Sequence, residues 1–269
     1  MALRAVSAVF DELSEFGDAV WRADALARHT SPAGVVATGH VLLDAVLPGG
    51  GWPVGALCEI LQSHSAQGEW RLLLPALCAA QQPLARPGAA SWVVLVGPPH
   101  VPFGPALAAL GLDVGRLLWV KAQTPAERLW AAEQALRCAA VAAVLAWLPQ
   151  VQAAPLRRLQ VAAQTHTKLL FVLRPASVQH ESSPALLRLL LGQERASFEG
   201  RGEGAVSDDL HVQVLKRRGP PLAGALVLPS NAAVFSELLG LCAGAVPVLH
   251  GQPKAMELER PHALDSLAA

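Results

Sequence analysis

The sequence predicts an α/β fold: a mostly parallel sheet flanked by helices, with an antiparallel hairpin on its C-terminal side. Three observations carry this. From residue 56 to about residue 173, short apolar runs alternate with segments of helical periodicity, the pattern of strand–helix–strand units joined by right-handed crossovers. Residues 141–148 form a continuous apolar run, as expected of a central strand buried on both faces. Leu210–Lys216 instead alternates apolar and polar residues, then turns through Gly219-Pro220-Pro221 into a second run at 223–228. That is a hairpin at the antiparallel edge of the sheet.

Taken in order, Val6, Val9, Phe10, Leu13 and Phe16 recur at helical spacing and predict an amphipathic helix that covers the main core or docks on a partner. Residues 31–55 are dense in Gly and Pro and predict turns. A strand at 56–61 precedes a helix over Glu69–Gln81. Strands follow at 91–96 and 117–121, with a short helix at 105–110 between them. Thr124-Pro125-Ala126-Glu127 is a capping box with proline at the first helical position. Leu129, Ala132, Leu136 and Ala139 then continue the helix. After the central strand come a helix at 156–164 and a strand at 168–173, and residues 193–208 read as a mobile loop. A short helix around 232–241 and a loose tail complete the chain. The expected organisation is a helical segment and linker at 1–35, the α/β domain at 36–228, and a C-terminal segment at 229–269.

Composition narrows the function. The chain has 269 residues, 52% hydrophobic and only 16% charged, which suits one well-buried core. Its formal net charge is +0, whereas a sequence-independent nucleic-acid binder is normally clearly basic. Direct DNA contact is therefore expected to be weak or indirect. Cys58, Cys78, Cys138 and Cys242 form no CxxC pair, and the nine histidines form no HExxH, so no metal site and no cofactor are expected. The opening MALRAVSAVF soon meets Asp11, Glu12 and Glu15, unlike a signal peptide, and the apolar run at 138–148 is too short to span a bilayer. The expected location is cytoplasmic, without membrane contact.

In sheets of this kind, phosphates sit in a glycine-rich turn between a strand and a helix. The corresponding turn follows Glu59-Ile60-Leu61 and runs Gln62-Ser63-His64-Ser65-Ala66-Gln67-Gly68-Glu69-Trp70. A phosphate cradle needs several glycines, a lysine for the β/γ-phosphates and a Ser/Thr hydroxyl for Mg²⁺. This turn has one glycine, Gly68. Glu69 takes the place of the lysine and Trp70 that of the hydroxyl, where its indole is expected to plug the pocket. Ala146 stands near the tip of the central strand, where an aspartate would organise magnesium. His100, in Gly97-Pro98-Pro99-His100, is a lone loop histidine of the kind usually found at surfaces. No catalytic residue is assigned, and the chain is expected not to be an enzyme.

These residues resemble a known superfamily. Thr38-Gly39-His40, Leu43-Asp44, Leu47-Pro48-Gly49-Gly50-Gly51-Trp52-Pro53-Val54-Gly55 and Glu59-Ile60 resemble the opening segment of RecA recombinases. Leu110-Gly111-Leu112-Asp113 and the order of downstream segments continue the likeness over about residues 36–228. Within that superfamily, LPGGGWPVGAL, EWRLLLPAL, LAWLP and LLFVLRP resemble the ImuA family. The resemblance implies a RecA-like fold and an SOS-induced accessory role in mutagenic translesion DNA synthesis. It also implies partners: RecA, an ImuB-like Y-family protein and an error-prone polymerase subunit. The related SulA-like division inhibitors, which bind FtsZ, are the alternative, and an atypical ATPase is a second. Both segments corresponding to the DNA-binding loops of RecA, at about 149–154 and 176–183, are short, so RecA-style filaments are not expected.

For contact surfaces, Arg157, Arg158 and Arg174 are candidates near the strand tips, with Lys168 and Arg188 beside them. Lys216, Arg217 and Arg218 cluster on the hairpin turn, where they could meet an acidic partner or a DNA phosphate. Exposed helix positions and solvated turns also favour such residues. Trp52, Trp92, Trp119, Trp130 and Trp147 are core candidates. Leu238, Leu239, Leu241, Val246, Val248 and Leu249 make the C-terminal segment apolar enough to dock on a partner or pack back on the sheet.

Overall fold

A computed structural model describes residues 34–64, 68–82, 91–192, 209–222 and 224–229. The expected N-terminal helix, the loop at 193–208 and the C-terminal helix and tail lie outside the described residues.

The fold is mixed α/β. Strands β1 (Val35–Val36) and β2 (Trp52–Pro53) form a small antiparallel ribbon around helix α1 (Val41–Val46). The main sheet follows: β3 (Ala56–Gln62), β4 (Trp92–Val96), β5 (Leu117–Val120), β6 (Val141–Trp147), β7 (Leu169–Pro175), β8 (Leu187–Gly192), β9 (Leu210–Lys216) and β10 (Ala225–Leu228). Helices α2 (Glu69–Gln81), α3 (Gly104–Ala109), α4 (Pro125–Arg137) and α5 (Ala153–His166) connect the parallel strands. The strand order is β10-β9-β8-β3-β7-β6-β4-β5. All pairings from β8 to β5 are parallel, and β8–β9 and β9–β10 are antiparallel.

Burial explains these elements. β3 is inaccessible along its whole length, as a strand with packed layers on both faces must be. One layer gathers Leu43, Leu72, Leu73, Leu77 and Leu107 from α1, α2 and α3 against Ile60, Leu95, Trp147 and Phe171. The other sets Ala132, Leu136, Leu156 and Leu159 from α4 and α5 against Val94, Val144 and Val172. Each fully buried leucine stabilises by about 1.5–3 kcal/mol relative to exposure. Trp52 meets Phe171 edge to face at 5.1 Å, which fastens the small ribbon to the main core.

Two elements differ from expectation. Residues 41–46 form α1 although turn-forming residues flank them on both sides. Asp44 accepts a hydrogen bond from the Thr38 amide at 2.9 Å, and Leu43 is fully buried. β8 was hidden in a leucine-rich run that carries no period-2 alternation. α2 contains Pro75, which has no N–H for the Arg71 carbonyl four residues back. His40 supplies it: its Nε2 lies 3.2 Å from that carbonyl, and burial holds the imidazole below its ordinary pKa.

Candidate functional site

The carboxyl ends of β3, β4, β6 and β7 surround a cavity of about 170 Å³, lined by Gln62, His64, Gly97, Arg128, Trp147 and Arg174 among others. This is where a doubly wound sheet places its ligands.

The turn leaving β3 is built for packing. Gly68 precedes α2 in a left-handed conformation, φ 101°, and a Cβ there would approach Leu210 Cδ1 to 2.8 Å. The one glycine of the degenerate loop is thus required by its backbone angle and by β9 packed against it. Glu69 is buried at 3% exposure. Trp70 is half-buried against the main core and is not among the residues that line this cavity. The indole at the strand tips is that of Trp147. Ala146 beside it is fully buried, paired with Val96 and Val172, beneath α4 and α5.

Arg128, which the sequence reading did not single out, crosses these tips. Thr124 Oγ1 accepts from the Glu127 amide at 3.2 Å, and Glu127 Oε2 accepts from the Gln123 and Thr124 amides at 2.9 and 3.3 Å. Those amides hold the Glu127 carboxyl below its ordinary pKa. The start of α4 is thereby set, and Arg128 reaches out to donate to the carbonyls of Ala122 at 3.0 Å and Trp147 at 3.2 Å. Gly97, with φ 59°, makes room: a Cβ there would lie 2.7 Å from Arg128 Nε. The pair Gly97 with a helix-first-turn arginine was the available signal, but only the fold joins its two halves.

Beneath the tips lies a buried ion cluster. Glu59 accepts from Arg174 Nη1 at 2.7 Å and from Arg188 Nε at 2.5 Å. Arg174 also donates to Glu181 at 2.9 Å and to the Val151 carbonyl at 2.8 Å. Arg188 donates to the carbonyls of Val178, Gln179 and Glu181, holding the β7–β8 connection. Arg174 is only 4% exposed, so it belongs to the interior and not to a contact surface.

The other basic candidates are dispersed. Arg157 and Arg158 are exposed on α5, with Arg158 2.6 Å from Glu133. Lys216 pairs across from Arg188, while Gly192 at the far end of β8 pairs with His211. The hairpin turn therefore lies at the end of the sheet opposite the strand tips. There Lys216 donates to the Ser183 carbonyl at 2.9 Å, Arg217 donates to the carbonyls of Pro220 and Val46, and Arg218 is exposed. Arg217 thereby staples the hairpin to α1. Lys168 donates to the Ala139 carbonyl at 3.1 Å, at the start of β7. Among the tryptophans, Trp52 and Trp147 are core, Trp92 and Trp119 are partly buried, and Trp130 is a correction at 67% exposure.

Among the described residues no group of His, Cys, Asp and Glu could hold a metal ion, and no helix is long and apolar enough to cross a membrane. Among the described residues that line the strand-tip cavity there is no lysine, and Ser63 is the one hydroxyl.

No family model matches the chain. Over 84 residues it is 32% identical to the cell division inhibitor SulA of Edwardsiella piscicida, a stretch covering 31% of this chain and 50% of that protein. The chain thus spans about half the length of the curated relative it matches.

Proposed function

We propose that this chain is a non-catalytic accessory protein of mutagenic translesion synthesis, of the ImuA type, which binds RecA, an ImuB-like Y-family protein and an error-prone polymerase subunit. The observation that carries the reading is the state of the strand-tip site. The turn that would cradle phosphates spends its glycine on packing against Leu210 and buries an acid, and the strand that would carry a magnesium ligand ends in Ala146-Trp147. A scaffold retained without its nucleotide chemistry is suited to binding other proteins. The similarity to SulA supports placing that work in the SOS response to DNA damage.

The test is co-purification of the tagged chain with RecA and the ImuB-like protein of the same genome, alongside ultraviolet-induced mutation frequency in a deletion strain. The expected result is capture of at least one partner and a fall in induced mutation. Capture of neither, with mutation frequency unchanged, removes the proposal. A second reading, a SulA-type division inhibitor, is favoured by the 32% identity. It predicts filamentous cells on overexpression and direct binding to FtsZ. Steady ATP turnover by the purified chain, altered by Glu69→Lys or Trp70→Thr, would instead support an atypical ATPase.

A further inference from the structure

The outer face of α4 and α5 presents apolar side chains among arginines. Trp130 on α4 is 67% exposed and Val161 on α5 is 59% exposed, although tryptophan is highly buried on average. Arg137 follows Trp130 by two helical turns, and Arg157 precedes Val161 by one. Glu133 joins the two helices, accepting from Arg137 and from Arg158, each at 2.6 Å. One carboxylate thus answers two guanidiniums, and Arg157, exposed beside them, has no carboxylate partner among the described residues. The two helices carry one other acid, Glu127, and it is tied to the Gln123 and Thr124 amides at the start of α4. Lys168, just past α5, adds a further cation. The face is basic around an apolar centre, and tryptophan and arginine are the side chains that most often dominate protein contacts.

The chain carries the complement of this face. Residues 5–21 hold Asp11, Glu12, Glu15 and Asp18 and no lysine, arginine or histidine, and Val6, Val9, Phe10, Leu13 and Phe16 recur among them at helical spacing. The described chain starts at Gly34, and it starts beside α5. The Gly34 carbonyl accepts from the Val54 amide at 3.1 Å, and the next amide, that of Gly55, donates to the Lys168 carbonyl at 2.9 Å. The Gly55 carbonyl in turn accepts from Gln160 of α5 at 3.4 Å. Residues 22–33 span up to about 40 Å when extended. Helix α5 has 14 residues, which makes it about 21 Å long. The acidic stretch therefore has the reach to cover the face of its own chain. Tethering also gives it an effective concentration of about millimolar, far above that of a second copy in dilute solution.

We propose that residues 5–21 dock on the α4–α5 face of their own chain. Their apolar positions cover Trp130 and Val161, and their carboxylates face Arg137, Arg157 and Arg158. Burial of the indole supplies the attraction, and opposite charges at the rim fix the placement. This inference does not depend on which proteins the chain binds.

The test is photo-crosslinking of the full chain with Phe10 replaced by p-benzoylphenylalanine, followed by mass spectrometry of the monomer band. The expected products join residue 10 to peptides of α4 and α5, in a yield independent of protein concentration. Trp130→Gln is expected to lower that yield by about fivefold or more, with circular dichroism unchanged because the side chain is exposed. Arg157→Glu together with Arg158→Glu is expected to lower it as well. Adding Asp11→Arg and Glu15→Arg to that variant is expected to restore it, which separates docking from a loss of folding. Products confined to the dimer band overturn the proposal in favour of a second copy as the occupant. Products on α1, α2 or α3, no products, or yields that neither Trp130→Gln nor the charge reversals change, overturn it outright.

Discussion

The interior cluster of Glu59, Arg174 and Arg188 and the strand-tip residues Gln62, Trp147 and Arg128 meet on strand β3, where Glu59 and Gln62 stand in one run. In the cluster both oxygens of Glu59 are taken, and Arg188 spends its donors on that carboxylate and three carbonyls. At the strand tips Gln62 Oε1 and Trp147 Nε1 are equally buried and without a hydrogen-bond partner among the described residues, half-buried Arg128 donates to two carbonyls, and Arg174 has Nη1 and Nη2 engaged and Nε not. Burial alone therefore does not separate a finished polar network from an unfinished one. Completeness of hydrogen bonding does.

Breaking the cluster should have the largest effect. Glu59→Gln leaves Arg188 buried without a counter-charge and Arg174 with Glu181 alone, and is expected to cost about 3–5 kcal/mol, read from the urea-unfolding midpoint. A loss below about 1 kcal/mol would mean that the cluster is hydrated and the contrast with the strand tips is false. Gly97→Ala acts at the strand tips: it forces a side chain into a positive φ and against Arg128, with an expected loss of about 1–3 kcal/mol by thermal unfolding. Thr124→Ala removes the cap that sets the start of α4 and should cost about 1 kcal/mol, measured the same way. Arg158→Ala, on the outer face of α5, should change stability by less than about 0.5 kcal/mol. If Arg158 belongs to a partner surface, co-purification will fall while the unfolding midpoint stays put.

Much of the fold was legible because its signals are local. α2 spans Glu69–Gln81 and β9 spans Leu210–Lys216 as periodicity indicated, and the Thr124–Glu127 capping box starts α4. What could not be read depends on distant pairing. The placement of β3 between β7 and β8 is a property of crossovers, and Leu187–Gly192 reads as well as a helix until β3 and β9 flank it. The loss of the phosphate-binding turn was visible in Gly68, Glu69 and Trp70, but the destiny of those side chains was not, since Leu210 is far away in sequence. Arg174 looked like surface because arginine usually is. Only the carboxylate across the sheet, Glu59, makes it interior. Arg128 went unnoticed because its purpose arises where α4 passes over Gly97.

The proline in α2 has a mechanical consequence. Pro75 leaves the Arg71 carbonyl outside the helical ladder, and a histidine from the preceding segment holds it instead. The first turn of α2, which bears Glu69 and Trp70, keeps its own bond from the Leu72 amide to the Gly68 carbonyl, but its Arg71 carbonyl is clamped by a side chain thirty-one positions upstream. Lifting residues 38–40 away would leave that turn a joint, free to bend where an uninterrupted helix would resist.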